Sequence, residues 1–171
     1  RIRIYSDADI TYIFITKRAG KTKDVLVLDK KGYGECPTCG KVKWEQYTGA
    51  KRYGTTDEEG PLTEHVHLYL ADDATYPGTW SRNAAILGDG GKICFHLNGH
   101  TLNVVGSRFW LGYEVSDNFL NVFGTNGGAI QYSDRIVLQS NSGPVNVYGG
   151  TYIRPATSAN PVVGMNGAGG V

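Results

Sequence analysis

Three segments of this chain repeat one theme: HLNGHTLNVVG at 96–106, FLNVFGTNGGAI at 119–130 and PVNVYGGTYI at 144–153. Each runs through Asn beside Val or Leu, reaches Gly, and resumes with a small or β-branched residue. A single short segment of this kind cannot bury its own apolar side, whereas stacked copies bury each other's. Stacking at about 4.8 Å would pair the copies as parallel strands and line their Val, Ile, Leu and Phe into one core. Superposing the Gly pairs gives intervals of 28 residues from Gly99 to Gly127 and 22 from Gly127 to Gly149. A second register through Asn103, Asn121 and Asn146 gives 18 and 25. The first is preferred, because 18 residues are few for three strands and three turns. Gly99, Gly127 and Gly149 are then the corners, where positive φ costs Gly nothing. Asn at such corners tolerates the left-handed region and bonds its counterpart in the next copy. The pattern predicts an all-β chain, a right-handed parallel β-helix with a small β-rich N-terminal region. An antiparallel β-sandwich accounts for short strands equally well but not for the recurring signature.

The punctuation agrees. The chain of 171 residues holds 24 Gly and 6 Pro, with β-branched and aromatic residues between them, a composition of strands and tight turns. No segment carries apolar residues at helical spacing. None approaches the run of about 18 apolar residues that a membrane-spanning helix needs, so membrane insertion is not expected. No signal peptide is visible; the start at Arg1 and the stop at GGV in mid-pattern suggest a mature product or a fragment. Residues 1–60 read as the N-terminal region, with strands over 1–16 and 25–29, a loop at 30–41 and a polar, Gly-rich linker from Thr48. Residues 61–171 read as the rungs. Up to Tyr53 there are twelve Lys or Arg and six Asp or Glu; the remainder has five and ten. The basic half reads as a solvated face. Its lysines are scattered rather than striped, which argues against nucleic acid as a partner.

The sharpest local motif is CPTCGK at 36–41. Two thiols in Cys-x-x-Cys spacing, with Pro and Gly shaping the turn, form half of a zinc knuckle. No second such pair exists, so the other ligands would come from His65, His67, Cys94, His96 or His100. His65 and His67 alternate on a strand and share a face. Three readings stay open: a structural zinc site on Cys36, Cys39, His65 and His67; a Cys36–Cys39 disulfide; or incidental thiols. A thioredoxin-type role is not expected, since no helix follows to depress a thiol pKa. Cys94, in an apolar strand, reads as a core thiol.

The segments ICFHLNGHTL, LNVFGTNGGAI and VNVYGGTYI resemble the pectin-lyase-like right-handed β-helix, and more narrowly the repeat-bearing surface and secreted proteins of anaerobic gut Firmicutes. Cys36, Cys39, Gly40 and Trp44, followed by HLYLADDAT at 67–75, belong to that resemblance, which covers residues 34–171. It implies an extracellular or cell-surface solenoid but supplies no reaction. The expected role is a structural stalk, adhesin or glycan-binding surface, with a polysaccharide or cell-surface component as partner. The alternative is a fragment of a polysaccharide lyase or glycoside hydrolase. Enzymes on that fold place carboxylates and an Arg or Lys on one outer face, and the weak candidates here are Asp117, Asp134, Arg135 and Arg154. Asp at a strand end more often forms a turn, so the reading leans away from an enzyme. Tyr148 and Tyr152 are the candidates for an outward surface that stacks on sugar rings. The last rung, ending at GGV, carries no cap, and the N-terminal strands are a plausible acceptor for end-to-end self-association.

Overall fold

The computed structural model describes residues 2–5, 9–13, 26–49, 65–76, 92–105, 110–111, 119–132, 138–140, 144–155 and 163–165. Among these there are strands and turns and no helix. The strands are β1 (Ile2–Tyr5), β2 (Asp9–Ile13), β3 (Tyr33–Cys36), β4 (Gly40–Lys43), β5 (Glu45–Gln46), β6 (His65–Tyr69) and β7 (Ala74–Tyr76). There follow β8 (Lys92–His96), β9 (Thr101–Val104), β10 (Trp110–Leu111), β11 (Phe119–Tyr132), β12 (Leu138–Ser140), β13 (Val145–Pro155) and β14 (Val163–Met165). Nine of them form one sheet along the path β1-β2-β13-β11-β8-β6-β5, with β7 and β9 pairing beside the second half of β11. Strands β10, β12 and β14 make a separate parallel sheet, and β3 and β4 an antiparallel hairpin.

The repeat encodes the parallel pairing. Val66, Ile93, Leu120 and Val145 stand side by side on β6, β8, β11 and β13, and so do Leu68, Phe95, Val122 and Val147 two residues on. Strand alternation sends both rows to one face. There they pack with Tyr47, Leu70, Leu97, Leu102, Val104, Ile130 and Tyr152 into the main core. The intervening rows face the other way: His67, Cys94, Asn121, Asn146, and then Tyr69, His96, Phe123, Tyr148. The hairpin and the segment before it cover this second face, where Cys36 and Trp44 pack against Cys94 and Phe123, with Leu26, Leu28 and Val42 beside them. A sheet covered on both faces needs alternating residues that suit two different environments. Here one is purely apolar and the other is mixed.

A turn links the two arms of each repeat. Asn98 (φ 53°) and Gly99 (φ 84°) form one, Gly127 (φ 97°) and Gly128 (φ 100°) the next, and Gly149 (φ 83°) and Gly150 (φ 93°) the last. The register through the Gly pairs holds after the turn, and of the asparagine register only the step from Asn121 to Asn146 is present, since Asn103 stands opposite Gln131. Before it, Asn121 pairs with Asn146; after it, Thr101 pairs with Ala129 and Ala129 with Thr151, with a register shift between Gly124 and Ala129. The turn of β11 is simply longer than that of β13. Asn121 and Asn146 therefore sit inside strands rather than at corners, and the asparagine at a corner is Asn98.

The right-handed parallel β-helix expected from the repeat is not the architecture. The mostly parallel sheet is curled as a half-barrel, and the three-stranded sheet stands apart from its ladders. Strand β2 pairs antiparallel with β13, Thr11 opposite Ile153, where a solenoid would add another parallel rung. The repeat specifies which strands are neighbours and in what register. It does not specify how far the sheet curls or what ends it. The second arm of β13 is paired over Thr151–Pro155 with β2 of the same chain, and of the last rung, expected to carry no cap, the described strand β14 pairs with β12. The other edge is β5, from the N-terminal region, lying parallel to β6. Residues 26–29 form no strand, and the loop expected at 30–41 contains the β3–β4 hairpin.

Candidate metal centre

The turn of the hairpin is Pro37, Thr38 and Cys39, closed by a Cys39 N–H donated to the Cys36 carbonyl at 3.3 Å. Gly40 follows with φ 76°, the left-handed residue that a three-residue hairpin loop requires. This turn puts Cys36 on the buried side and leaves Cys39 exposed at the tip. Trp44 anchors the hairpin. It is buried, donates Nε1–H to the Gly34 carbonyl, and meets His67 and His96 edge-on. The tip thereby rests on the row His67–Cys94–Asn121.

Four soft donor groups converge there. The ligand atoms of Cys36, Cys39, Cys94 and His67 all lie within 4.8 Å of one another. Cys39 Sγ is 3.8 Å from Cys94 Sγ; zinc–thiolate bonds of about 2.3 Å in a tetrahedron put sulfurs about 3.8 Å apart. All three cysteines are free thiols. His67 is 7% exposed, and its buried Nε2 has no hydrogen-bond partner. A buried nitrogen left unpaired is costly, and its lone pair is available to an ion. The donor set, the spacing and the unpaired imidazole nitrogen all fit a metal.

His65 lies at the margin of this group. Its Nε2 is 3.3 Å from Cys94 Sγ and 3.8 Å from Cys39 Sγ, and its ring centroid is 4.1 Å from that of His67. Thr38 Oγ1 sits amid the sulfurs, 3.5 Å from Cys36, 3.3 Å from Cys39 and 3.7 Å from Cys94. A hydroxyl has a single proton, so it satisfies one sulfur at a time.

The protonation pattern is that of a group waiting for a cation. The Cys36 thiol is held below its ordinary pKa, chiefly because the Cys94 thiol donates to it; the His67 imidazole adds to the effect. The Cys94 pKa is raised for the converse reason, since it keeps the shared proton, and burial raises it further. Burial also raises Cys39. Burial lowers His65, with His67 beside it. Without a cation the cluster accommodates one thiolate and resists the second. A bound divalent ion replaces those protons.

The structure thus brings Cys36, Cys39 and His67 together, keeps His65 beside them, and adds Cys94, which the sequence suggested as a core thiol. Sequence reasoning missed Thr38 and Asn121. The signal for Asn121 was an amide at the centre of an apolar strand, which must find a partner when buried. His96 is buried outside the cluster, its Nδ1 accepting the Asn98 N–H at 3.0 Å. His100 Nδ1 lies 3.7 Å from Asp73 Oδ1 at a corner. Of the expected sugar-stacking pair, Tyr148 is half-buried and stacked on Phe123. Tyr152 is fully buried, its hydroxyl donated to the Gly149 carbonyl; an inward row of Leu102, Ile130 and Tyr152 takes it into the core. Asp117, Asp134 and Arg135 lie outside the described residues, and Arg154 is buried.

The chain is therefore a β-protein with a Cys₃His cluster between a hairpin and a parallel sheet. No protein-family model matches it, and no curated protein or solved structure does either.

Proposed function

We propose that this chain is a non-catalytic structural module in which one zinc ion staples the β3–β4 hairpin to the parallel sheet. The observation that carries the proposal is the convergence of Cys36, Cys39, Cys94 and His67 within 4.8 Å. Three thiolates and an imidazole select a soft or borderline metal over calcium or magnesium. Four protein ligands leave no open position for a substrate or activated water, which is the mark of a structural rather than a catalytic site. The ligands come from two distant stretches, residues 36–39 and 67–94, so the ion closes a long loop and its binding free energy becomes folding free energy.

The wider role we propose is a stalk or adhesin of a secreted or surface protein. The resemblance of ICFHLNGHTL, LNVFGTNGGAI and VNVYGGTYI to such proteins supports it, and zinc-held thiols are compatible with an oxidising exterior because coordination protects them. A glycan-binding surface would centre on Tyr148, which is half-exposed in the aromatic row.

Elemental analysis of protein purified without chelator should give close to one zinc per chain. A strong chelator should lower the thermal midpoint, and added zinc should restore it. Metal-free protein carrying a Cys36–Cys39 disulfide in its peptide map would overturn the proposal.

A further inference from the structure

Asn121 lies in the middle of β11, in register with Cys94 on one side and Asn146 on the other. It is 6% exposed. Its Nδ2 is 3.5 Å from Cys94 Sγ and 3.4 Å from Thr38 Oγ1, one N–H for each. Its Oδ1 accepts the Nδ2–H of Asn146 at 2.9 Å. The orientation of the amide follows from its neighbours. A metal-bound thiolate only accepts, so the NH₂ group must face Cys94, and the oxygen must face a donor. Asn146 is that donor. A buried and a half-buried amide in successive parallel strands therefore aim one N–H at a sulfur.

We infer that Asn121, held by Asn146, is a positioning residue of the metal site: it donates to the Cys94 sulfur and sets the strength of that ligand. This rests on the metal reading above. Three thiolates and a neutral imidazole around a divalent ion leave a net charge of about −1 in a buried place. The Asn121 N–H dipole, held by Asn146 and aimed at the Cys94 sulfur, helps to offset that charge. Groups that donate to ligands in this way carry 10–100-fold of metal affinity in typical sites. The Asn121 contact to Thr38 adds a second effect. It occupies a hydroxyl lone pair and so turns the Thr38 O–H toward the sulfurs of the hairpin tip.

The test uses the full chain loaded with cobalt(II), whose sulfur-to-metal charge-transfer band reports thiolate donation, followed by competition with zinc. Asn121→Leu, close in volume but without a donor, should weaken affinity about 10–100-fold and shift the charge-transfer band. Asn146→Leu should produce a smaller shift in the same direction, since the Asn121 amide remains but is free to turn. Asn103→Leu, on the other arm of the sheet, should change neither. Unaltered affinity and an unaltered band in Asn121→Leu, with the wild type binding normally, would overturn the inference and leave the metal site standing. Failure of the wild type to bind cobalt or zinc would overturn both. A measurement without substitution guards against a variant that does not fold. In ¹¹³Cd-loaded wild type, the Asn121 side-chain amide protons should show scalar coupling to the metal across Cys94 Sγ. A spectrum with couplings to cysteine protons but none to that amide would also overturn it.

Discussion

At the scale of single residues, the corner glycines separate two demands that a sequence cannot tell apart. Gly127 and Gly149 both have positive φ, 97° and 83°. A Cβ on Gly127 would meet nothing within 4 Å, whereas on Gly149 it would lie 3.1 Å from the Gly124 carbonyl oxygen and 3.2 Å from the Thr125 Cα. Backbone strain acts at both positions, and backbone collision only at Gly149. Gly127→Ala should therefore cost about 1 kcal/mol and Gly149→Ala about 2–3 kcal/mol. Asn tolerates the left-handed region, so Gly127→Asn should recover most of the loss and Gly149→Asn should not. Urea denaturation of the four variants checks this; equal losses at the two positions would remove the close approach from the account. Both glycines were legible as turn formers because each opens a Gly pair, Gly127-Gly128 and Gly149-Gly150, between two apolar runs. That only one of them is pressed against a neighbouring strand depends on the different turn lengths of β11 and β13, which the residues alone do not express.

At the scale of elements, the hairpin is the part whose existence depends most on what lies beneath it. A two-stranded ribbon is marginal in water by itself, and YGEC and GKVK bury only Gly34, Cys36 and part of Val42. Trp44 and the cluster tie it down. This explains why 30–41 read as a loop. Its strands are four residues each, carry Gly, Lys and Glu, and show no apolar alternation, so local pattern gave no strand signal. The Cys-x-x-Cys spacing was legible, and so was the shared face of His65 and His67. The third sulfur stood only as one of five possible further ligands, because Cys94 between Ile93 and Phe95 looks like any core residue until the hairpin is known to cover that face. With a metal bound, the amides of 33–43 should be protected from hydrogen exchange nearly as well as those of the sheet beneath. Chelation should speed exchange in the hairpin selectively, leaving Ile93–Phe95 and Leu120–Phe123 protected, since the main core does not involve the cluster. Uniform loss of protection would show instead that the ion holds the whole domain together; no change would show that Trp44 suffices.

At the scale of the whole molecule, the repeat made neighbours of β6, β8, β11 and β13 legible, because identical alternation in successive segments can only be satisfied when the segments lie side by side. How the sheet ends was not legible. Nothing in IRIY or DITYI says that these strands pair at the far side of β13, and the contact joins the two extremes of the chain. Its consequence follows from sheet physics. An uncovered strand presents a row of N–H and C=O groups that templates pairing with another chain. Strand β2 covers Thr151–Pro155 by antiparallel pairing, and β1 covers β2 in turn, Ile4 opposite Thr11. Removing residues 1–13 should uncover the second arm of β13 while leaving the metal cluster in place, since its ligands Cys36, Cys39, His67 and Cys94 come from other strands. The shortened chain should bind zinc as the full chain does, yet associate with increasing concentration, first as pairs joined at β13. Sedimentation velocity over a hundredfold range of concentration distinguishes the outcomes. A shortened chain that stays monomeric throughout, with its zinc retained, would show that β13 is not left open when β1 and β2 are gone. A full-length chain that associates as readily as the shortened one would show that the hairpin does not act as a cap in solution.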